Sequence, residues 1–137
     1  RAAVRHRALP ALARALGADP VPALARSAAA AADDDEALAS WAQRVRASEV
    51  RGQGGARSIR VKALEGLPRA VRGRVLASFL RDAGVPGGSL AAGHVEAVDA
   101  LVTAWRGQGP LNLPRVVVAR SGAGERAVIE AGPLRSQ

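Results

Sequence analysis

Leu67-Pro-Arg-Ala-Val-Arg-Gly-Arg-Val-Leu-Ala-Ser-Phe-Leu-Arg-Asp-Ala83 is the stretch on which the fold turns. Val71, Val75, Leu76, Phe79, Leu80 and Ala83 recur at three- and four-residue steps, the spacing of one helical face. A helix over about 69–83 is predicted, with that arc buried and Arg74 and Arg81 one heptad apart on the outer side. Gly84-Val85-Pro86-Gly87-Gly88 then reads as a turn. Ser89 is placed to cap a further helix over about 90–105, with Leu90, Val95, Val98, Leu101, Val102 and Trp105 along one face. Glu96, Asp99 and Thr103 are expected to face away. Two amphipathic helices joined by a short loop predict an antiparallel helical hairpin.

Downstream of Trp105 the period changes. Arg106-Gly107-Gln108-Gly109-Pro110 reads as a turn. Val116-Val117-Val118 and Ala127-Val128-Ile129 are β-branched runs on either side of Ser121-Gly122-Ala123-Gly124, which predicts a two-strand hairpin with a glycine-rich tip. Gly132-Pro133 ends it, and the last residues are expected to fray. Upstream, residues 48–58 hold Gly52, Gly54 and Gly55 and read as a linker loop, with a short strand at Ile59 to Val61. Asp19 caps and Pro20 opens a long alanine-rich helix that runs to about Val45 or Arg46. Its apolar stripe of Leu24, Ala28, Ala31, Leu38 and Ala42 is thin, as in a connecting helix. Arg1 to Leu16 forms a first helix that Pro10 should kink or break and Gly17 ends. The expected fold is mainly α: a long connecting helix, then a helical hairpin domain ending in a small β-hairpin. The segments are 1–47, the linker 48–58, and 59–137.

The chain has 137 residues, so it holds one domain, or a small domain with a helical lead-in. Its opening on Arg1 predicts a piece of a longer protein. Aromatic residues make up 2%, so the core must be packed with Leu, Val and Ala. The longest apolar run, Ala28–Ala32, is far short of the ~20 residues of a membrane span, and no membrane partner is expected. Cysteine is absent, which excludes disulfides, thiolate catalysis and Cys-ligated zinc.

Twenty basic against 12 acidic residues give a net charge of +8, and every cation except Lys62 is arginine. Such a balance points to polyanionic partners, nucleic acid first, because the guanidinium fork matches phosphate. Arginine-for-lysine usage from a GC-rich genome is the alternative. Arg69, Arg72 and Arg74 crowd the first turns of the helix over 69–83, where the helix dipole disfavours cations. An anion that comes to them would explain the crowding, as would a merely solvated basic face. Arg1 and Arg5 lie one turn apart at the start of the chain.

Catalytic signals are poor. His94 falls between Leu90 and Val98 on an apolar face, the place of a packed structural histidine, and no nucleophile–base or metal-binding spacing includes it or His6. Asp33-Asp34-Asp35-Glu36 points its carboxylates to different sides of a helix, as a solvated face does. Gly52-Gln53-Gly54-Gly55 lacks the Lys-Ser/Thr and the preceding buried strand of a P-loop.

Taken in order, Arg1-Ala-Ala-Val-Arg-His-Arg-Ala-Leu-Pro10, Leu24-Ala-Arg-Ser-Ala28, Asp33–Glu36, Leu67-Pro-Arg-Ala-Val-Arg-Gly-Arg-Val-Leu76, His94-Val-Glu-Ala-Val98 and Trp105-Arg-Gly-Gln-Gly-Pro110 resemble the later portion of bacterial tRNA(Ile)-lysidine synthetases, from Arg1 to about Glu130. That resemblance implies the substrate-binding part of a ligase. In the family, an N-terminal catalytic domain with an SGGxDS loop adenylates the wobble cytidine of an isoleucine tRNA with a CAU anticodon. Lysine then displaces AMP. The implied cofactors are ATP and Mg2+ for the full-length enzyme and none for this fragment, which carries no SGGxDS and is expected to be inactive alone. The implied partners are tRNA(Ile), lysine and the protein's own N-terminal catalytic domain, in the cytoplasm. The implied tRNA-binding residues are Arg1, Arg5, Arg69, Arg72, Arg74, Arg81 and Arg106, with no catalytic or metal residue. Two departures stand out. Ala2 occupies a position that is often Asn in the family. Arg115-Val116 follow Leu113-Pro114, where many members have Gly-Gly. A basic helical DNA-binding domain and a protein-interaction module remain the alternatives.

Overall fold

The computed structural model describes residues 1–134, so the expected fraying of the last residues lies outside the described residues. The chain divides into two compact units, Arg1–Ala37 and Leu38–Gln137.

The first unit opens with a π-helical turn over Val4–Ala8 that passes into helix α1, Leu9–Leu16. Pro10 has no N–H for the carbonyl four residues back, and its ring crowds that carbonyl. The chain rewinds into a wider turn just before the proline and continues as helix. Gly17 ends α1 at φ 68°. Asp19 Oδ1 accepts the Val21 N–H at 3.0 Å, which starts helix α2, Val21–Glu49. Val4, Leu12, Leu16 and Leu24 stay exposed in this unit.

The second unit is built from the end of α2, strand β1 (Arg57–Arg60), helix α3 (Val61–Glu65), helix α4 (Arg69–Asp82), helix α5 (Ala92–Thr103) and strands β2 (Leu111–Leu113), β3 (Val116–Ser121) and β4 (Val128–Pro133). The sheet is antiparallel, in the order β1-β4-β3-β2. The expected hairpin is therefore its centre, β3 with β4, and short strands pair on either side. Ile59, Leu113, Val116, Val118, Ile129 and Ala131 form the inner face of the sheet. They share one core with Val61, Leu64 and the arc Val71, Val75, Leu76, Phe79 and Leu80, all buried. Val98, Leu101 and Val102 complete the core from α5, and Ala42 joins it from α2.

Several local features differ from expectation. The strand expected at Ile59 to Val61 runs over Arg57–Arg60, and Val61 instead opens helix α3. The segment 48–58 belongs to the second unit and pairs within itself, since Arg51 and Ser58 exchange both backbone hydrogen bonds at 2.9 Å. Ser89 does not cap α5. Its N–H closes a 3-10 turn onto the Pro86 carbonyl, and α5 starts at Ala92 with the Ala91 N–H donated to His94 Nδ1 at 3.2 Å. Trp105 lies past the end of α5, because Ala104 leaves helical conformation. Between β2 and β3 the turn is Pro114-Arg115, with Arg115 at φ 67°. Proline followed by a left-handed residue is the pattern of a type II turn. Here an arginine takes the conformation that glycine adopts at less cost.

Candidate nucleic-acid interface

Arg69, Arg72, Arg74 and Arg81 all sit on α4, yet not in one environment. Arg72 falls inside the apolar arc and is the only buried charged residue among the described residues. A charge there must be paired and hydrogen-bonded. Its Nε donates to Asp99 Oδ1 at 2.5 Å, Nη2 to Asp99 Oδ2 at 3.3 Å, and Nη1 to the Leu67 carbonyl at 2.7 Å. This fork-to-carboxylate pair ties α4 to α5. Asp99, expected to face away, is the partner that makes the burial of Arg72 possible. The guanidinium of Arg72 is thus engaged inside the protein.

The other three face outward or lie at the margin. Arg69 is exposed and stands 3.5 Å from Glu96 on α5, an ion pair of little energetic weight at that exposure. Arg74 is half-buried and donates to the Ala70 carbonyl at 3.1 Å. Arg81 is exposed and donates to Ser78 Oγ at 3.3 Å. Ala70, Gly73 and Ala77 lie on the same side of the helix and, with Arg69 and Arg74, line a shallow groove. A Cβ on Gly73 would meet nothing within 4 Å, so packing does not require a glycine there. Arg74 and Arg81 are about 10 Å apart along the axis, at ~1.5 Å per residue.

Arg106 is exposed in the turn after α5. Gln108 holds that turn: its Oε1 accepts the Arg106 N–H at 2.5 Å and its Nε2 donates to the Ala104 carbonyl at 2.9 Å. Beside it Trp105 is 37% exposed, and the Arg120 guanidinium lies 5.2 Å from its ring centroid, in cation–π range. Arg120 also donates to the Leu101 and Val102 carbonyls at 2.8 and 3.3 Å, a cation at the C-terminal end of a helix, where the dipole favours it. Arg120 was not among the expected site residues. The signal was its register: residues 116, 118 and 120 alternate onto the core side of β3, so a charged side chain at 120 needs partners.

Arg1 and Arg5 belong to the first unit. Both are exposed one turn apart, with the Arg5 N–H on the Arg1 carbonyl at 3.3 Å, and they flank Val4 and Leu9 in a shallow pocket. His6 is exposed, and Asp33 to Glu36 lie exposed along α2. Among the described residues, no group of three or more His, Asp or Glu side chains could hold a metal ion, and no helix is long and apolar enough to cross a membrane.

Residues 60–123 match the protein family described as the TilS substrate binding domain. The chain is 48% identical over 132 residues to a tRNA(Ile)-lysidine synthase of Streptomyces coelicolor, covering 96% of this chain and 36% of that relative. It is 46% identical over 114 residues to one of Thermobifida fusca, covering 83% and 34%, and 44% identical over 133 residues to one of Salinispora arenicola, covering 97% and 39%. The chain spans little more than a third of the length of these curated relatives. No solved structure matches it.

Proposed function

We propose that this chain is the tRNA-binding portion of a tRNA(Ile)-lysidine synthetase, a reading supported by the match of residues 60–123 to the TilS substrate binding domain and by the 48%, 46% and 44% identity to curated tRNA(Ile)-lysidine synthases. The whole enzyme would use ATP and Mg2+ to join lysine, through a new C–N bond, to the wobble cytidine of an isoleucine tRNA with a CAU anticodon. It would do so in the cytoplasm, in a catalytic domain on the N-terminal side of this chain. The ATP and Mg2+ do not fit the described residues. Among the described residues no group of three or more His, Asp or Glu side chains could hold a metal ion, and the glycine loop at 52–55 leads into an edge strand rather than into a helix N-terminus, where phosphates are cradled. This chain's part is to bind and place the tRNA.

The observation that carries this reading is the outer side of α4. Arg69 and Arg74 flank a strip of Ala70, Gly73 and Ala77 that lets a sugar–phosphate backbone come close to the helix, and Arg81 follows one turn on from Ala77. Mid-helix glycine costs about 0.5–1 kcal/mol relative to alanine, and close approach by a ligand is a reason to keep it. Phosphate contacts position a nucleic acid without reading its sequence. Arg106 adds a cation in the turn after α5; Arg1 and Arg5, in the first unit, are tRNA contacts of their own in this reading. Arg72 is left out of the contact set, because Asp99 and the Leu67 carbonyl occupy its donors. No observation favours the DNA-reading alternative: the curated relatives are tRNA(Ile)-lysidine synthases.

Replacing Arg74 and Arg81 together with Gln is expected to weaken binding of a tRNA(Ile) transcript by about 1–3 kcal/mol, the scale of charge-assisted hydrogen bonds. Fluorescence anisotropy reads the affinity, and a thermal melt of the same protein is expected to shift little. Normal tRNA affinity in the double variant would refute the α4 contact. So would a loss of affinity that merely follows unfolding.

A further inference from the structure

The last turn of α2, the loop after it and the end of α4 enclose a cleft of about 260 Å3, lined chiefly by Arg46, Val50, Arg51, Gly52, Arg57 and Asp82. One carboxylate faces three guanidiniums. Asp82 accepts from Arg46 Nε at 2.6 Å, and that bond, reinforced by the opposite charge, holds the Arg46 pKa above its ordinary value. Arg51 and Arg57 each place one Nη1 donor on the carbonyl of the preceding residue, Val50 at 3.1 Å and Ala56 at 2.8 Å. Neither is paired with a carboxylate among the described residues. Among the described residues their remaining N–H groups have no acceptor, and three guanidiniums against one carboxylate leave two positive charges in excess.

The loop that presents these arginines is constructed, not slack. Besides the paired Arg51–Ser58 bonds, the Ala56 N–H closes onto the Gln53 carbonyl at 3.0 Å. Gly52 has φ 125°, and a Cβ there would lie 2.1 Å from the Ala56 carbonyl oxygen, so only glycine closes the loop. Like charges gathered on a fixed frame repel one another unless an anion joins them. Phosphate is the anion whose oxygens match a guanidinium fork. The cleft is smaller than the about 300–1,000 Å3 of pockets that enclose drug-sized ligands, a size for phosphate groups rather than a whole nucleotide.

We propose that this cleft is a second backbone-phosphate site for tRNA, in which Arg51 and Arg57 hold a phosphodiester group beside the Arg46–Asp82 pair. The proposal rests on the tRNA-binding reading and extends it to residues 46–57, outside the matched segment.

The test is the double variant R51Q/R57Q of the 137-residue chain, titrated with a tRNA(Ile) transcript over a range of salt, with melting temperatures with and without inorganic phosphate. The expected result is roughly a tenfold loss of tRNA affinity and a salt slope shallower by about 0.7–0.9, the contribution of one neutralised phosphate. Melting temperature should be nearly unchanged. The variant R51K/R57K keeps the charges without the guanidinium fork and should restore the salt slope and part of the affinity. Wild-type affinity and slope in R51Q/R57Q overturn the cleft alone, whereas a wild-type chain that does not bind tRNA overturns the parent reading as well. Preferential stabilisation of the wild type by inorganic phosphate, with tRNA affinity unchanged, assigns the cleft to free phosphate and also overturns the proposal. A loss of affinity that tracks a lowered melting temperature and is not rescued by R51K/R57K does the same.

Discussion

Arg72→Leu is expected to destabilise the Leu38–Gln137 unit by about 3 kcal/mol, measured as the loss of unfolding free energy in urea. The substitution leaves the Asp99 carboxylate without its partner and the Leu67 carbonyl without its donor. Breaking a buried ion pair from one side costs about 3–5 kcal/mol, and the lower end suits a pair whose side chains are 11% and 22% exposed. Replacing both partners with apolar residues of similar volume leaves no orphaned charge and is expected to recover most of the loss. If R72L keeps its stability and instead loses tRNA affinity, Arg72 is a phosphate contact after all, and the account of α4 is wrong at that position.

Phe79→Ala is expected to cost about 3–5 kcal/mol, the usual range for truncating a fully buried phenylalanine. Phe79 is the largest of the fully buried side chains, placed where α4 meets the rest of the core. A chain with so few aromatics has no other ring to fill the space. Thermal or urea unfolding reads this directly, and a cost under about 1 kcal/mol would mean that the core does not close on α4 as described.

The helical half of the fold was readable because α4 and α5 repeat their apolar residues over three or more turns. Each buried position on α4 follows from the 3.6-residue period. Of the two outer strands, β1 was expected as a short strand at Ile59 to Val61 and lies slightly earlier, at Arg57–Arg60. β2, with three residues, is too short for alternation to stand out and becomes a strand by pairing with the hairpin. At the start of α5, propensity favoured Ser89 as the cap, but the Pro86–Gly88 turn consumed it and His94 took the role.

The candidate site was legible in its charge and only partly in its geometry. The crowding of Arg69, Arg72 and Arg74 at the start of a helix has two causes, not one. Arg72 is there to meet Asp99 inside the protein, while Arg69 and Arg74 stand at the surface. The position of Arg72 within the apolar arc was already a sign of an internal partner. Arg46, Arg51 and Arg57 could not be associated from their spacing, because tertiary packing brings α2, its following loop and the end of α4 together.

The central claim is that this chain holds tRNA through its phosphates, and the measurement that tests it most directly is the affinity of the wild-type chain for a tRNA(Ile) transcript as a function of salt. With Arg69, Arg74, Arg81 and Arg106 each neutralising a phosphate, the slope of log affinity against log salt should be about −3 or steeper, which is roughly a 50-fold loss between ~50 and ~200 mM. An affinity that barely changes over that range, or no measurable affinity at the low-salt end, would contradict it.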